Sequence, residues 1–387
     1  MSESVTALQH TLAPLLKPVS WLYGGLMQVR ADLYRRGLLP RWEAPVLTVS
    51  VGNIGWGGSG KTPLADWLLG WAENQGIPVA LLTRGYRAKP VSLPYVVKPG
   101  ALAEEAGDEP LMLACAHEKA VVVVDPDRTR AGKMVMKNFK PELIILDDGF
   151  QHMAVQRHLN LVLLKPEDVR GGWNSIIPAG TWREPVAALE RADAFLLKIG
   201  PKGFAALKPY IEHRLERFNK PVFSFQIMPT GLRKVLGGET ARDFGGGQYL
   251  LVTGVGDPAQ VKATAMAYFG YAPLKHMVFR DHHFYTKHDV LEISETARKL
   301  GCRAILCTPK DAVKFGAMST NEFWQFDLRL EFGPSTIGVD TPFSTWWDRR
   351  YDAFNLRRED RAAYEAEFRG RSWPEKKTSA NGDTEND

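Results

Sequence analysis

The chain has 387 residues, 44% of them hydrophobic and 24% charged, with a formal net charge of +5. That length and apolar content support two domains with real cores and exclude a disordered chain. The charge excess suits an anionic substrate or an acidic membrane surface and is too small to indicate a nucleic-acid partner.

The N-terminus carries acidic Glu3 and no basic segment followed by a clean apolar core, so a secretory signal is not expected, and no apolar run reaches spanning length. Residues 8–42 combine Leu12, Leu15, Leu16, Trp21, Leu22, Leu26, Met27, Leu33 and Tyr34 with Lys17, Arg30, Arg35, Arg36 and Arg41, against the single acid Asp32. A basic amphipathic helix of this kind can lie in a membrane interface. It can equally be an ordinary helix packed on a sheet, and composition does not choose between the two.

Val46 to Val51 reads as a buried strand, and a helix opens at Thr62 and Pro63 with Leu64, Trp67, Leu68 and Trp71 at helical spacing. Between them lies Gly55-Trp56-Gly57-Gly58-Ser59-Gly60-Lys61-Thr62, in the order Gly-x-x-x-x-Gly-Lys-Thr of a phosphate-binding loop. Backbone N–H groups converge on a polyphosphate only where no Cβ intervenes, so glycines are required, and the following helix turns its positive end to the anion. Lys61 is the expected partner of the β and γ phosphates, and the Thr62 hydroxyl of Mg²⁺. The plain alternative is a glycine-rich turn with a surface lysine.

A second strand, Val79 to Leu82, ends in Arg84-Gly85-Tyr86-Arg87, where an open α/β sheet forms its ligand crevice, though the segment can equally be a solvated turn. Asp108 and Glu109 fall in a loop before a helix expected near Pro110, where an acid can simply act as a cap. Strands Val121 to Val124 and Leu143 to Leu146 end in Asp125, Asp127 and Arg128 and in Asp147-Asp148-Gly149-Phe150-Gln151-His152. Apolar residues followed by an acid match the second signature of a phosphate-loop protein, with the acid facing Mg²⁺. Leu159 to Leu164 and Ala194 to Leu197 are further strands, separated by a long connection holding Arg170, Asn174, Arg183 and Glu184 that reads as ordered and functional.

Pro221 to Gln226 and Lys234 to Leu236 are expected to form a linker hairpin. A smaller α/β unit follows, with strands at Tyr249 to Val252, His276 to Phe279 and Ala304 to Cys307. It contains Arg280-Asp281-His282-His283, whose adjacent histidines fit acid/base work or substrate orientation better than a metal site. Cys115, Cys302 and Cys307 show no metal-ligand spacing, and their odd number argues against a disulfide framework, so a reducing cytoplasm is the expected compartment. Strand character is expected to fade from Glu331, and the polar stretch 375–387 to be disordered.

Taken together, the blocks SWLYG, LYRRGLL, VSVGNIGWGGSGKTP, LLTRGYRAK, GDEPLMLA, DDGFQH, PAGTWREP, FRDHHFY and TPKDAVKF resemble, in order, those of the tetraacyldisaccharide 4′-kinase family of lipid A biosynthesis. The resemblance spans roughly residues 15 to 330 and is far more specific than the phosphate loop. It implies a P-loop NTPase-like α/β fold, with a mostly parallel sheet flanked by helices and a smaller α/β domain joined by a short β linker. The corresponding divisions are a membrane-associating segment 1–40, a kinase domain 41–220, a linker 221–245, a smaller domain 246–335 and a tail 336–387.

The implied reaction moves the ATP γ-phosphoryl group to the 4′-hydroxyl of a tetraacyldisaccharide 1-phosphate, at the cytoplasmic face of the inner membrane, with a glycolipid as partner. By the same resemblance Asp108 is the general base, assisted by His282, and Asp147 and Asp148 serve Mg²⁺ with His152 close by. Arg183 and Glu184 position nucleotide, metal or the transferring phosphate, and Tyr86 lines the reaction centre. A secondary hydroxyl is a poor nucleophile near neutral pH, so an oriented carboxylate meets a real chemical need. A nucleotide-driven switch or ATPase, and a kinase for a soluble sugar, are the competing classes. The second leaves the basic aromatic N-terminus unexplained.

Overall fold

A computed structural model describes residues 3–367 of the chain and the side chains of residues 12–356. The chain falls into two units that divide between Phe343 and Ser344. The stretch 375–387, expected to be disordered, lies outside the described residues.

The first unit is built on one sheet of 13 strands. Its first half contains β1 (Leu47–Asn53), β2 (Val79–Thr83), β3 (Tyr95–Val97), β4 (Val121–Val124), β5 (Leu143–Asp147), β6 (Leu159–Leu164) and β7 (Ala194–Lys198). They lie in the order β7-β6-β1-β5-β2-β4-β3, all parallel except the edge strand β3. Runs such as LIIL in β5 and VVVV in β4 carry no polar alternation because helices cover both faces of a parallel sheet.

The helices of this half are α1 (Glu3–Arg35), α2 (Lys61–Asn74), α3 (Ala103–Ala106), α4 (Asp108–Ala116), α5 (Arg128–Asn138), α6 (Pro166–Val169) and α7 (Pro201–Leu215). Helix α2 buries Leu64, Ala65, Leu68, Leu69 and Ala72 against the sheet. Each of its three leucines contributes about 1.5–3 kcal/mol by leaving water. Trp67 and Trp71 are only partly buried, and Trp67 instead meets the rings of Phe332 and Phe343 edge-on at 4.9 and 5.6 Å.

The expected linker hairpin is one long strand, β8 (Val222–Lys234), extended on its far side by the short β9 (Thr240–Ala241). Its partner is β13 (Phe323–Thr336), which continues past Glu331, where strand character was expected to fade. The two run antiparallel from Trp324↔Lys234 to Thr336↔Val222, while the start of β8 also pairs β7 in parallel. Pro229 and Gly231 interrupt the local pattern of β8, and register shifts fall at Asp327/Leu328 and Phe332/Ser335. Bulged strands of this composition have weak local signals and are held by pairing with each other.

Beyond the ribbon lie β10 (Tyr249–Thr253), α8 (Pro258–Phe269), β11 (Lys275–Val278), α9 (Lys287–Lys299), β12 (Ala304–Cys307) and α10 (Pro309–Phe315). Parallel strands in the order β11-β10-β12 complete the sheet, β12 joining β13. The described part of the second unit is helical, within Phe343–Glu367.

Candidate active site

The site gathers at the C-terminal ends of β1, β2 and β5, adjacent strands of the parallel sheet and the usual position of ligands in such folds. Between β1 and α2 the phosphate loop turns through Gly57 at φ 101° and Gly60 at φ 94°, conformations that favour glycine. A Cβ on Gly60 would stand 2.7 Å from Phe225 Cζ, so space as well as conformation demands glycine there. Gly58 needs neither argument, with open space around it and ordinary backbone. Gly55 is tied to Trp182 by an isolated bridge, Trp56 N donates to Thr181 O at 3.0 Å, and Ser59 is buried. Gly60 caps α2 without a side-chain hydrogen bond, which leaves the first N–H groups of the helix to an anion.

Lys61 and Thr62 open α2 and point at acids from two other elements. Lys61 Nζ donates to Asn53 Oδ1 at 3.0 Å and lies 3.2 Å from Asp148 Oδ1. Arg183 Nη1 donates to both oxygens of Asp148, at 3.2 and 2.9 Å. Asp148 is partly buried, and burial alone would raise its pKa, yet Lys61 and Arg183 hold it below the ordinary carboxylate value. Its backbone adopts a left-handed φ of 48°, an uncommon conformation for a residue other than glycine.

Its neighbour Asp147 is pushed up to about 6 by burial, then by the negative charges of Glu109 and Asp148. Asp147 Oδ2 accepts from Thr83 Oγ1 at 3.0 Å, while buried Oδ1 has no protein partner. Thr62 Oγ1 donates to Glu109 Oε2 at 2.6 Å, bringing α4 to the loop. Among the described residues no group of three or more His, Cys, Asp or Glu forms a metal cage. Mg²⁺ beside a triphosphate does not need one, because it keeps waters and phosphate oxygens and takes one or two carboxylates. The orphaned oxygen of Asp147, whose carboxylate feels the charge of Glu109 on Thr62, fits that ion.

Asp108 is the first residue of α4. The cap is Gly107, at φ 84°, so Asp108 is not used as a capping group. It is 4% exposed and accepts on Oδ2 from His282 Nδ1, 3.1 Å away and 174 residues further along the chain. Lys310 Nζ lies 3.1 Å from His282 Nε2. Lysine has donors only, so Nε2 accepts and Nδ1 carries the hydrogen toward Asp108. Lys314 Nζ stands 3.4 Å from the same Oδ2. Burial would raise the Asp108 pKa, but the His282 hydrogen bond and the charge of Lys314 hold it below the ordinary value. Both contacts fall on Oδ2 and not on Oδ1.

His282 itself has a left-handed φ of 62°. The Tyr86 ring lies edge-on to it at 5.5 Å, and Arg87 Nη1 donates to Asp281 O at 3.3 Å, so the RGYR and DHH segments meet. Arg84, Tyr86, Arg87, Leu93 and Pro126 line an open recess. Glu184 is buried and held by Arg191 Nη2, at 2.8 and 2.9 Å to its two oxygens. The structure therefore joins Lys61, Thr62, Asp147, Asp148 and Arg183 in one cluster, joins Asp108, His282 and Tyr86 in another, and links the two through Glu109. His152 is pushed down to about 4 by burial and the nearby arginines Arg128 and Arg157. Glu109, Lys310 and Lys314 went unrecognised as site residues in the sequence, although GDEP and TPKDAVKF contain all three. Nothing in the local pattern separates them from surface charges.

Fold and site define a P-loop NTPase-like protein equipped for phosphoryl transfer, with a buried carboxylate–histidine pair beside the phosphate cradle. The sequence model of the tetraacyldisaccharide-1-P 4′-kinase family matches residues 12–340. The chain is 49% identical over 347 residues to the tetraacyldisaccharide 4′-kinase of Nitratidesulfovibrio vulgaris, covering 90% of this chain and 96% of that protein. It is 44% identical to that of Oleidesulfovibrio alaskensis, covering 89% and 97%. The crystal structure of LpxK from Aquifex aeolicus in complex with ATP superposes with a TM-score of 0.67 at 29% identity, covering 83% of this chain and 95% of that one. The chain belongs to the tetraacyldisaccharide 4′-kinase family, whose members are ATP-dependent kinases.

Proposed function

We propose that this chain binds ATP in the Gly55–Thr62 loop and transfers its γ-phosphoryl group to the 4′-hydroxyl of a tetraacyldisaccharide 1-phosphate. The observation that carries this reading is the 3.1 Å contact between Asp108, at the start of α4, and His282, from the far half of the sheet. Glu109, the next residue along, touches Thr62, so the pair stands beside the phosphate cradle.

In this reading Asp108 Oδ1 accepts the hydroxyl proton as the sugar oxygen attacks phosphorus, and His282 orients the carboxylate through Oδ2. Lys61 and Arg183, both now on Asp148, are placed to meet charge developing on the transferred group. Thr62 and Asp147 would hold Mg²⁺, with Asp148 beside them, and the ion would neutralise charge on the β and γ phosphates. The recess lined by Arg84, Tyr86 and Arg87 borders His282 and is where the acceptor sugar approaches. Glu184 acts at one remove, ordering the WREP turn through Arg191.

Helix α1 supports a reading of membrane association. Leu15, Val19, Leu22, Leu26 and Val29, spaced by alternate steps of four and three, are 77, 54, 69, 57 and 57% exposed and form one apolar stripe. The other face holds buried Ser20, whose Oγ accepts from Ala179 N at 3.0 Å, and Gly24, packed on Ile176. No helix of the described residues is long and apolar enough to cross a membrane. The stripe is suited to lie in the interface of the cytoplasmic face of the inner membrane, close to the acyl chains of the acceptor.

The test is incubation of the protein with γ-labelled ATP, Mg²⁺ and the lipid disaccharide 1-phosphate, followed by chromatography. Label in a disaccharide bisphosphate is expected. Label released only as inorganic phosphate would favour the ATPase class instead.

A further inference from the structure

Lys314 is an unusual lysine. Its side chain is 1% exposed on α10, with Nζ 3.1 Å from Asp311 Oδ1, 3.4 Å from Asp108 Oδ2 and 5.2 Å from the centre of the Tyr285 ring. A buried ammonium is costly to desolvate and is kept where carboxylates compensate it. Asp311, however, is already supplied with donors: Gly254 N at 3.1 Å, the Tyr285 hydroxyl at 3.1 Å and Thr308 Oγ1 at 2.7 Å. Among the described residues the carboxylate with fewer contacts is Asp108, which has His282 besides this lysine.

From the helix of Asp108 comes Glu109, and from the loop after β11 come His282 and Asp281. Helix α10 presents Lys310, Asp311 and Lys314, with Tyr285 between α10 and that loop. Lys310 is engaged by His282, Asp281 and Glu109. Without Lys314, two buried carboxylates, Asp108 and Asp311, would face each other with no buried cation between them. That arrangement favours protonation of one, and a protonated Asp108 cannot accept a proton from substrate.

We infer that Lys314 is a positioning residue for phosphoryl transfer, its ammonium bridging Asp311 and Asp108 so that the Asp108 carboxylate stays charged and turned to His282. The helix that carries the lysine belongs to the far half of the sheet and the acid to the phosphate-loop half, so docking of the halves and readiness of the base become one event. This inference rests on the reading of Asp108 as general base.

The test compares the full-length protein with Lys314→Met and Lys314→Arg, using γ-labelled ATP and the lipid disaccharide 1-phosphate between about pH 5.5 and 9. In Lys314→Met the acidic limb of kcat moves to higher pH and kcat at the acidic end falls on the order of a hundred-fold, with KM for ATP within about two-fold. Lys314→Arg restores the position of the limb. A uniform fall at every pH, or no change, overturns the inference. Should Lys314→Met fail to fold, Lys314→Gln is read the same way, since it keeps a polar contact to Asp311 and removes the charge. Asp108→Asn is measured in parallel. Wild-type turnover there sinks the base itself, whereas a dead Asp108→Asn beside an unmoved limb in Lys314→Met sinks only the role of the lysine.

Discussion

Replacing Asp108 with asparagine changes one oxygen for an amide nitrogen in a site where the residue is 4% exposed, so shape is kept while the capacity to take a proton is lost. The asparagine oxygen can still accept from His282 Nδ1, whose wild-type contact is 3.1 Å. General-base assistance is worth about 10²–10⁴ in rate, or roughly 2.7–5.5 kcal/mol of barrier at 1.36 kcal/mol per decade. The fold loses much less. Lys314 retains Asp311 at 3.1 Å, so the loss is one charge-assisted contact, about 1–2 kcal/mol. Initial rates with γ-labelled ATP should fall at least about a hundred-fold, with nucleotide affinity preserved, because Lys61 and Thr62 sit on a different helix. Thermal melting should drop by only a few degrees, about 2–4 °C per kcal/mol for a domain of this size. A variant within about ten-fold of wild-type kcat would refute the assignment, and so would a loss of activity explained entirely by lost ATP binding.

Three further outcomes are expected. Lys61→Met should lower kcat by about 10²–10³ through loss of one electrostatic partner of the transferring group, measured with the same labelled assay; an undiminished rate would separate Lys61 from the triphosphate. His117, which follows α4, bridges two acids of α2, with Nδ1 2.9 Å from Glu73 Oε2 and Nε2 2.9 Å from Asp66 Oδ1. Burial alone would lower its pKa, but the two hydrogen-bonded acids raise it above the ordinary value, so its stabilisation is complete below the unfolded-state pKa and is lost as pH rises through the folded one. Urea unfolding at about pH 5.5 should then show His117→Gln destabilised by about 1–2 kcal/mol, discounted for the exposure of Asp66, with the gap shrinking at pH 9; a constant gap would refute the linkage. Leu22→Asp with Leu26→Asp should reduce sedimentation with anionic vesicles at unchanged stability, both residues being more than half exposed, and undiminished sedimentation would reject the interfacial helix.

The phosphate loop, the parallel strands and the acids at their ends could be read in the sequence because each rests on neighbouring residues. A glycine at φ 94°, an apolar run buried on both faces and a lysine at a helix start are local requirements, satisfied by residue type at fixed spacing. The long ribbon of β8 and β13 was not legible, since its pairing joins residues about a hundred positions apart and its bulges erase the alternation.

The same division runs through the site. Asp108 and His282 were chosen from blocks of sequence, but only the closed sheet sets them 3.1 Å apart, and it alone shows Lys314 behind them. Glu184, expected to position nucleotide, metal or the transferring phosphate, is paired with Arg191, a contact that depends on how the WREP turn folds back. Residue type determined which chemistry the chain could perform. Tertiary structure decided which charges are buried together, because the cost of desolvation is set by surroundings drawn from distant parts of the chain.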